Sequence, residues 1–238
     1  MSGDGVILRE LSGLDELARA EAFQVEVWGA GEKPDNSDIM MALQSEGALV
    51  AGAFRGAEML GFLLGFPTAT PGLQHSHRLG IHPDARGLGL GARMKWFQRD
   101  WCLARGITTV RWTYDPLRAI NAGLNIGVLG AVCHDYLVDY YGPMPGINAG
   151  LPSDRVMAVW HLDSPSVVAR ARGGAAVPQA EAGQAWLQIP RDIDALLAQD
   201  RQTALAERLR VRAALQSAFA AGQGIVGFDR ARHSYLLG

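Results

Sequence analysis

Two imidazoles stand two residues apart, at His75 and His77, and a glycine-rich run begins at Arg86. An unperturbed imidazole titrates near pH ~6.5, so either ring could take a proton near neutrality. The plainer reading makes one a hydrogen-bonded core residue and leaves the other in solvent. As a metal pair they lack an evident third ligand. The run Arg86-Gly87-Leu88-Gly89-Leu90-Gly91 lets backbone approach a ligand closely and gathers successive N–H groups into one concavity. A helix opening at Ala92 adds partial positive charge. Such a loop suits a pyrophosphate, with Arg86 adding a cationic hydrogen bond. It could also be a simple turn.

These residues need elements to position them. Leu79 and Ile81 alternate with polar or small neighbours, which predicts a half-buried strand, and Pro83 ends its ladder. On such a strand His75 and His77 share a face with Leu79 and Ile81. Upstream, a strand at 6–11 precedes a helix capped by Ser12, and Ser37 caps a short helix over 38–44. Apolar runs 48–54 and 59–66 read as a hairpin. Downstream come a helix over 92–105, a strand over 108–114, a helix over 119–129, and strands over 132–141 and 155–162. The 238 residues allow one large domain or a domain with an appendage. A net charge of −2 disfavours nucleic acid or an anionic membrane as partner. Two cysteines, Cys102 and Cys133, offer no disulfide framework or metal spacing, and fit a reducing cytoplasm. Neither a leader nor a bilayer-spanning run is apparent.

Three phosphate-loop templates compete. A Walker loop fails because Gly91-Ala92-Arg93 stands where Gly-Lys-Ser/Thr is required. A dinucleotide fingerprint fits Gly87, Gly89 and Ala92, but His82 to Arg86 separates it from its strand. The third, R-G-x-G-x-G/A after a Leu-x-Ile/Val-x-Pro strand end, is the acetyl-CoA signature of the GNAT N-acyltransferase superfamily, which this segment closely resembles. The order of elements over residues 5–163 is similar too. So is Asn121-Ala122 ahead of Leu129-Gly130, although Ile126 takes the place of the usual tyrosine acid. The run from His75 to Pro83, together with Trp112 to Leu117, Asp139 to Met144 and Asn148 to Arg155, resembles an uncharacterised bacterial subgroup of predicted acetyltransferases.

The resemblance implies an α/β GNAT fold: a mixed twisted sheet flanked by helices, with splayed central strands. It implies a bulge freeing the N–H groups of Leu79, Gly80 and Ile81 for pantetheine. Arg86, Gly87, Leu88, Gly89, Leu90, Gly91 and Ala92 would then hold the pyrophosphate, and Asn121 would reach the pantetheine amide or cap its helix. Amide formation from a thioester needs a base for the amine and donors for the oxyanion. His77, nearer the bulge, and His75 are the base candidates; paired strand histidines of this kind also resemble those of arylalkylamine acetyltransferases. Asp115 could bind an ammonium or act as base, or only form the turn before Pro116. Tyr136, like Tyr140 and Tyr141, could protonate the thiolate or be core. Arg155 could hold a carboxylate, or belong to a turn with Asp154. Cys133 reads as a buried filler.

The expected organisation is an acyltransferase domain at 1–163, a linker or crossover at 164–183, and a C-terminal helix-and-hairpin extension at 184–238. In the extension one helical pattern runs from Asp192 to Ala221, with Arg201, Arg208, Arg210 and Arg212 on a solvated face. Its apolar face would pack on the core or build a homodimer. The expected activity is transfer of an acetyl group from acetyl-CoA, without a metal, to a small-molecule amine such as an amino acid, by direct attack in a ternary complex. Succinyl- or another acyl-CoA, a non-catalytic CoA-binding module and a dinucleotide-binding oxidoreductase remain alternatives.

Overall fold

The structure, a computed structural model, describes residues 5–29, 31, 33–142, 151–174 and 178–238. The motif residues Pro143 to Gly150 lie outside the described residues. The chain forms two compact units, residues 1–110 and 111–238.

In the first unit, strands β1 (Val6–Glu10), β2 (Leu49–Arg55), β3 (Glu58–Pro67) and β4 (Leu73–Ile81) lie side by side in chain order, each antiparallel to the next. Gly56, at φ 57°, makes the tight β2–β3 turn that the sequence predicts. Helices α1 (Gly13–Trp28) and α2 (Ser37–Ser45) cover one face and close a core of Leu17, Phe23, Met40, Phe62 and Leu64. The cap of α2 is Asn36, not Ser37; its side chain accepts the Ile39 N–H at 2.8 Å.

Helix α3 (Leu90–Leu103) belongs to the other face, which is unusually polar inside. Lys95 donates to Ser76 Oγ (3.0 Å) and Gln98 Oε1 (2.7 Å), and Gln98 donates to Gln74 Oε1 (2.6 Å). Gly65 makes room for this group, since a Cβ there would come within 2.7 Å of Gln74 and 2.8 Å of Gln98. Burial lowers the Lys95 ammonium to about 7 and raises the Cys102 thiol to about 12.

In the second unit the strand order is β5 (Thr109–Tyr114), β7 (Arg155–His161), β6 (Val132–Leu137), β9 (Ile225–Asp229), β10 (Ser234–Leu237) and β8 (Ala185–Gln188). Residues 185–237 therefore continue the same run of strands from β6, to which β9 pairs at Cys133 and Ile225. Between β5 and β6, helix α4 (Ala119–Ala122) widens into a π-helical turn over Gly123–Val128. Helix α5 (Pro165–Ala171) occupies the start of the expected linker. The long pattern from Asp192 is two helices, α6 (Ile193–Gln199) and α7 (Arg201–Ala220). Asp200 breaks it: extended at φ −149°, it caps α7 by accepting the N–H groups of Gln202 and Thr203. Strand β6 stops at Leu137, short of the predicted 141. Asp139 turns the chain at φ 48°, and its carboxylate accepts from the N–H and hydroxyl of Ser153.

Candidate active site

Strand β4 is irregular where the chemistry was expected. Its register against β3 pairs Gly65 with Ser76 but Leu64 with Arg78, so His77 is an extra residue, a β-bulge. An extra residue inverts the alternation of the strand. Gln74 and Ser76 face α3 before the bulge; Leu79 and Ile81 face it afterwards, and a Cβ on Gly61, opposite Ile81, would meet Met94 of α3. His75, Arg78 and Gly80 share the α1 face instead, where a Cβ on Gly80 would meet the Trp28 ring at 3.1 Å. The prediction that the two imidazoles share a face with Leu79 and Ile81 is therefore corrected: the bulge separates them.

On that face His75 stacks on Phe66 (ring centroids 5.1 Å apart), with His77 6.2 Å from His75. His77 Nε2 lies 3.3 Å from Asp35 Oδ1, and Arg78 Nε donates to Asp35 Oδ2 at 3.0 Å. Arg78 also donates to the Lys33 carbonyl (3.0 Å) and lies over the Trp28 ring. Burial works against the charged form of Asp35, but His77 and Arg78 outweigh it and hold the carboxyl below its usual range. The His77 side chain keeps 38% of its surface exposed.

Beyond β4, a 3₁₀ turn over Pro83–Ala85 leads into Arg86–Gly89, all exposed. Gly87 and Gly89 have φ of 82° and 71°, and a Cβ on either would meet nothing within 4 Å. The left-handed backbone thus requires glycine while its outer face stays open. Gly89 caps α3 with no side-chain hydrogen bond. Open glycines at the start of a 14-residue helix fit an anionic diphosphate. Leu90 is buried under the loop as an anchor, so of the predicted loop residues it offers backbone only.

The candidates of the second unit are differently placed. Asp115 is bound twice by Arg208, at 2.7 and 2.6 Å, and accepts the Leu117 N–H at 2.9 Å. Arg208 thus occupies the carboxylate that was read as a site for an ammonium or as a base. The Tyr136 hydroxyl donates to Asp154 at 2.6 Å; burial and that carboxylate both raise its pKa. Asp154 also accepts two bonds from Arg212 at 2.8 Å, so its ion pair is with Arg212 and not Arg155. Arg208, 2% exposed, and Arg212 correct the solvated-face reading of α7. Arg155 donates to the Asp154 carbonyl and stands 5.0 Å from the Tyr141 ring. Asn121 is half-buried in α4, whose cap is Arg118, and Ile126 is fully buried. Burial raises the Cys133 thiol to about 12, as suits a filler.

The roles of two residues in these networks escaped the sequence reading. Asp35 sits in Lys33-Pro34-Asp35-Asn36-Ser37, which reads only as a turn. Arg208 carries no local mark either, because its partner lies 93 residues away. Among the described residues no group of three or more His, Cys, Asp or Glu could hold a metal, and no helix is long and apolar enough to cross a membrane.

Residues 13–122 match the sequence model of the acetyltransferase (GNAT) family. A search of curated proteins returns no match. The fold is similar to that of the ribosomal-protein-S18-alanine N-acetyltransferase from Escherichia coli (TM-score 0.56, 16% identity, 67% of this chain and 95% of that one). An N-acetyltransferase from Staphylococcus aureus gives TM-score 0.54 at 15% identity, over 66% and 99% of the two chains. The protein yncA from Salmonella typhimurium, in a structure with its cofactor acetyl-CoA, gives 0.54 at 17%, over 68% and 96%. At such identities the likeness speaks for the fold, which is the GNAT fold.

Proposed function

We propose that this chain, whose residues 13–122 match the GNAT acetyltransferase family and whose fold is the GNAT fold, acetylates the amine of a small molecule such as an amino acid, by direct attack while donor and acceptor are both bound. The observation that carries this is the bulge, which brings a half-exposed His77 onto the strand that feeds the open Gly87–Gly89 loop. Acetyl-CoA supplies an acyl group already activated as a thioester. Arg86 and the backbone of Gly87 to Ala92 hold its diphosphate, and the Leu79–Ile81 backbone orients its pantetheine arm. His77 accepts the proton that the amine loses as its lone pair forms the C–N bond and the C–S bond breaks. With Ile126 in the place of a tyrosine acid, His77 returns that proton to the departing thiolate. Holding both reactants supplies much of the rate. Asp115 and Tyr136 serve as anchors in this reading.

The test is calorimetric titration with acetyl-CoA and succinyl-CoA, followed by thiol release over a panel of amino acids, polyamines and a peptide with N-terminal alanine. We expect acetyl-CoA binding that Gly89→Val weakens at least tenfold. We also expect turnover that His77→Ala lowers by about 10²–10⁴-fold with binding intact. Absence of acyl-CoA binding, or undiminished turnover in His77→Ala, overturns the proposal.

A further inference from the structure

Asp35 faces the proposed base His77, and its surroundings fix it more tightly than a surface turn requires. Its backbone N–H donates to Gln24 Oε1 (3.0 Å) and its carbonyl accepts from Gln24 Nε2 (3.1 Å). Gln24 is itself buried in α1 and bonded back to the Ala20 carbonyl. One carboxylate oxygen is taken by Arg78, which is in turn held by Trp28 and the Lys33 carbonyl. The other oxygen faces His77. The carboxylate thus has one orientation, set by two elements of the same unit.

We propose that Asp35 is the positioning residue for His77: it accepts the Nε2 proton, fixes the ring tautomer and leaves the Nδ1 lone pair as the base. The inference rests on the reading of His77 as proton acceptor given above. An ionised carboxylate can only accept, so the ring nitrogen facing it must carry hydrogen, and the other nitrogen of a neutral imidazole must then be bare. The bulge completes the arrangement, because a bulged residue can be re-aimed independently of the strand's alternation. Among the described residues the rings beside His77 are His75 and Phe66, and the charged group sharing its carboxylate is Arg78.

The alternative is a staple that merely ties residues 33–36 to β4. The two differ in observables beyond stability. In the intact wild-type chain labelled with 15N-histidine, imidazole NMR should show His77 protonated at Nε2; an Nδ1-protonated ring overturns the proposal without any variant. Asp35→Asn should mix the tautomers and lower kcat about ten- to a hundredfold, with KM for acetyl-CoA unchanged. Asp35→Glu should recover part of the loss. Unchanged kcat in Asp35→Asn, alongside a large loss in His77→Ala, refutes the positioning role and leaves the base reading standing. Full turnover in His77→Ala removes both.

Discussion

Each unit holds an aspartate between an arginine and a second hydrogen-bonding group, and the two arrangements differ in what they leave over. Around Asp115 both oxygens are engaged: Arg208 binds the two, Leu117 adds a backbone bond, and the pair is nearly closed to water. Around Asp35, Arg78 takes one oxygen and the other bears on an imidazole that remains 38% exposed. The same chemistry is architecture where it is saturated and buried. Where one member still reaches solvent, it is available for a reaction.

The comparison breaks most visibly at Arg208. Replacing it with Met strands a buried carboxylate, and urea denaturation should register a loss of about 3–5 kcal/mol. Adding Asp115→Asn, which keeps an acceptor for Leu117, should restore most of that. A single-variant loss under about 1 kcal/mol would mean that water reaches Asp115 after all.

Lys95 tests the opposite case, a buried ammonium that donates to the neutral groups of Ser76 and Gln98. It is held at about 7 in the folded chain against its ordinary 10.5. Below pH 7 both folded and unfolded chains carry the proton, and folding bears the cost of burying it. Between 7 and 10.5 the unfolded chain binds more proton than the folded one, so stability rises with pH. Lys95→Met should flatten this slope and exceed the wild type by about 1–4 kcal/mol below pH 7, the gap closing as pH rises. A wild-type stability curve without that rise would show that the ammonium is solvated.

The smallest effect belongs to Arg9, which binds both oxygens of Glu16 at 2.7 and 2.6 Å, a geometry as good as that of Arg208. These side chains are 43% and 30% exposed. Thermal denaturation of Arg9→Ala should give a loss of only about 0.2–1 kcal/mol. A loss rivalling that at Arg208 would show that geometry, and not burial, sets the difference.

Reading the chain alone reached the strand, loop and helix around Gly87–Gly89, because proline and glycine act locally and their backbone demands show in the sequence. The β2–β3 hairpin was legible for the same reason. The faces of β4 were not. One extra residue inverts the alternation, and nothing in His75-Ser76-His77-Arg78 marks which residue is extra until Leu64 and Gly65 are set opposite. The break at Asp200 was visible only as an aspartate within a helical pattern, since a cap and a helix-interior aspartate look alike before the backbone turns. The pairs Asp35–His77 and Asp115–Arg208 join residues 42 and 93 positions apart, so they are products of the fold. Without the second pair, the arginines of α7 read as solvent-facing.

The bulge at His77 also bears on how such a strand can change over generations. A substitution between His75 and Arg78 alters one side chain and leaves its neighbours on their own sides. A one-residue deletion there would remove the bulge and return β4 to regular alternation with both surfaces kept, because Ser76 and Arg78 already lie opposite the adjacent Gly65 and Leu64. Leu79 and Ile81 would stay toward α3 and Arg78 toward Trp28, and what would be lost is the imidazole of His77 with its contact to Asp35. Descendants of this sequence could thus shorten the segment by one residue and keep both faces of the strand, at the cost of the imidazole that the bulge presents. A single supernumerary residue gives the strand one position that it can lose without turning its core face outward.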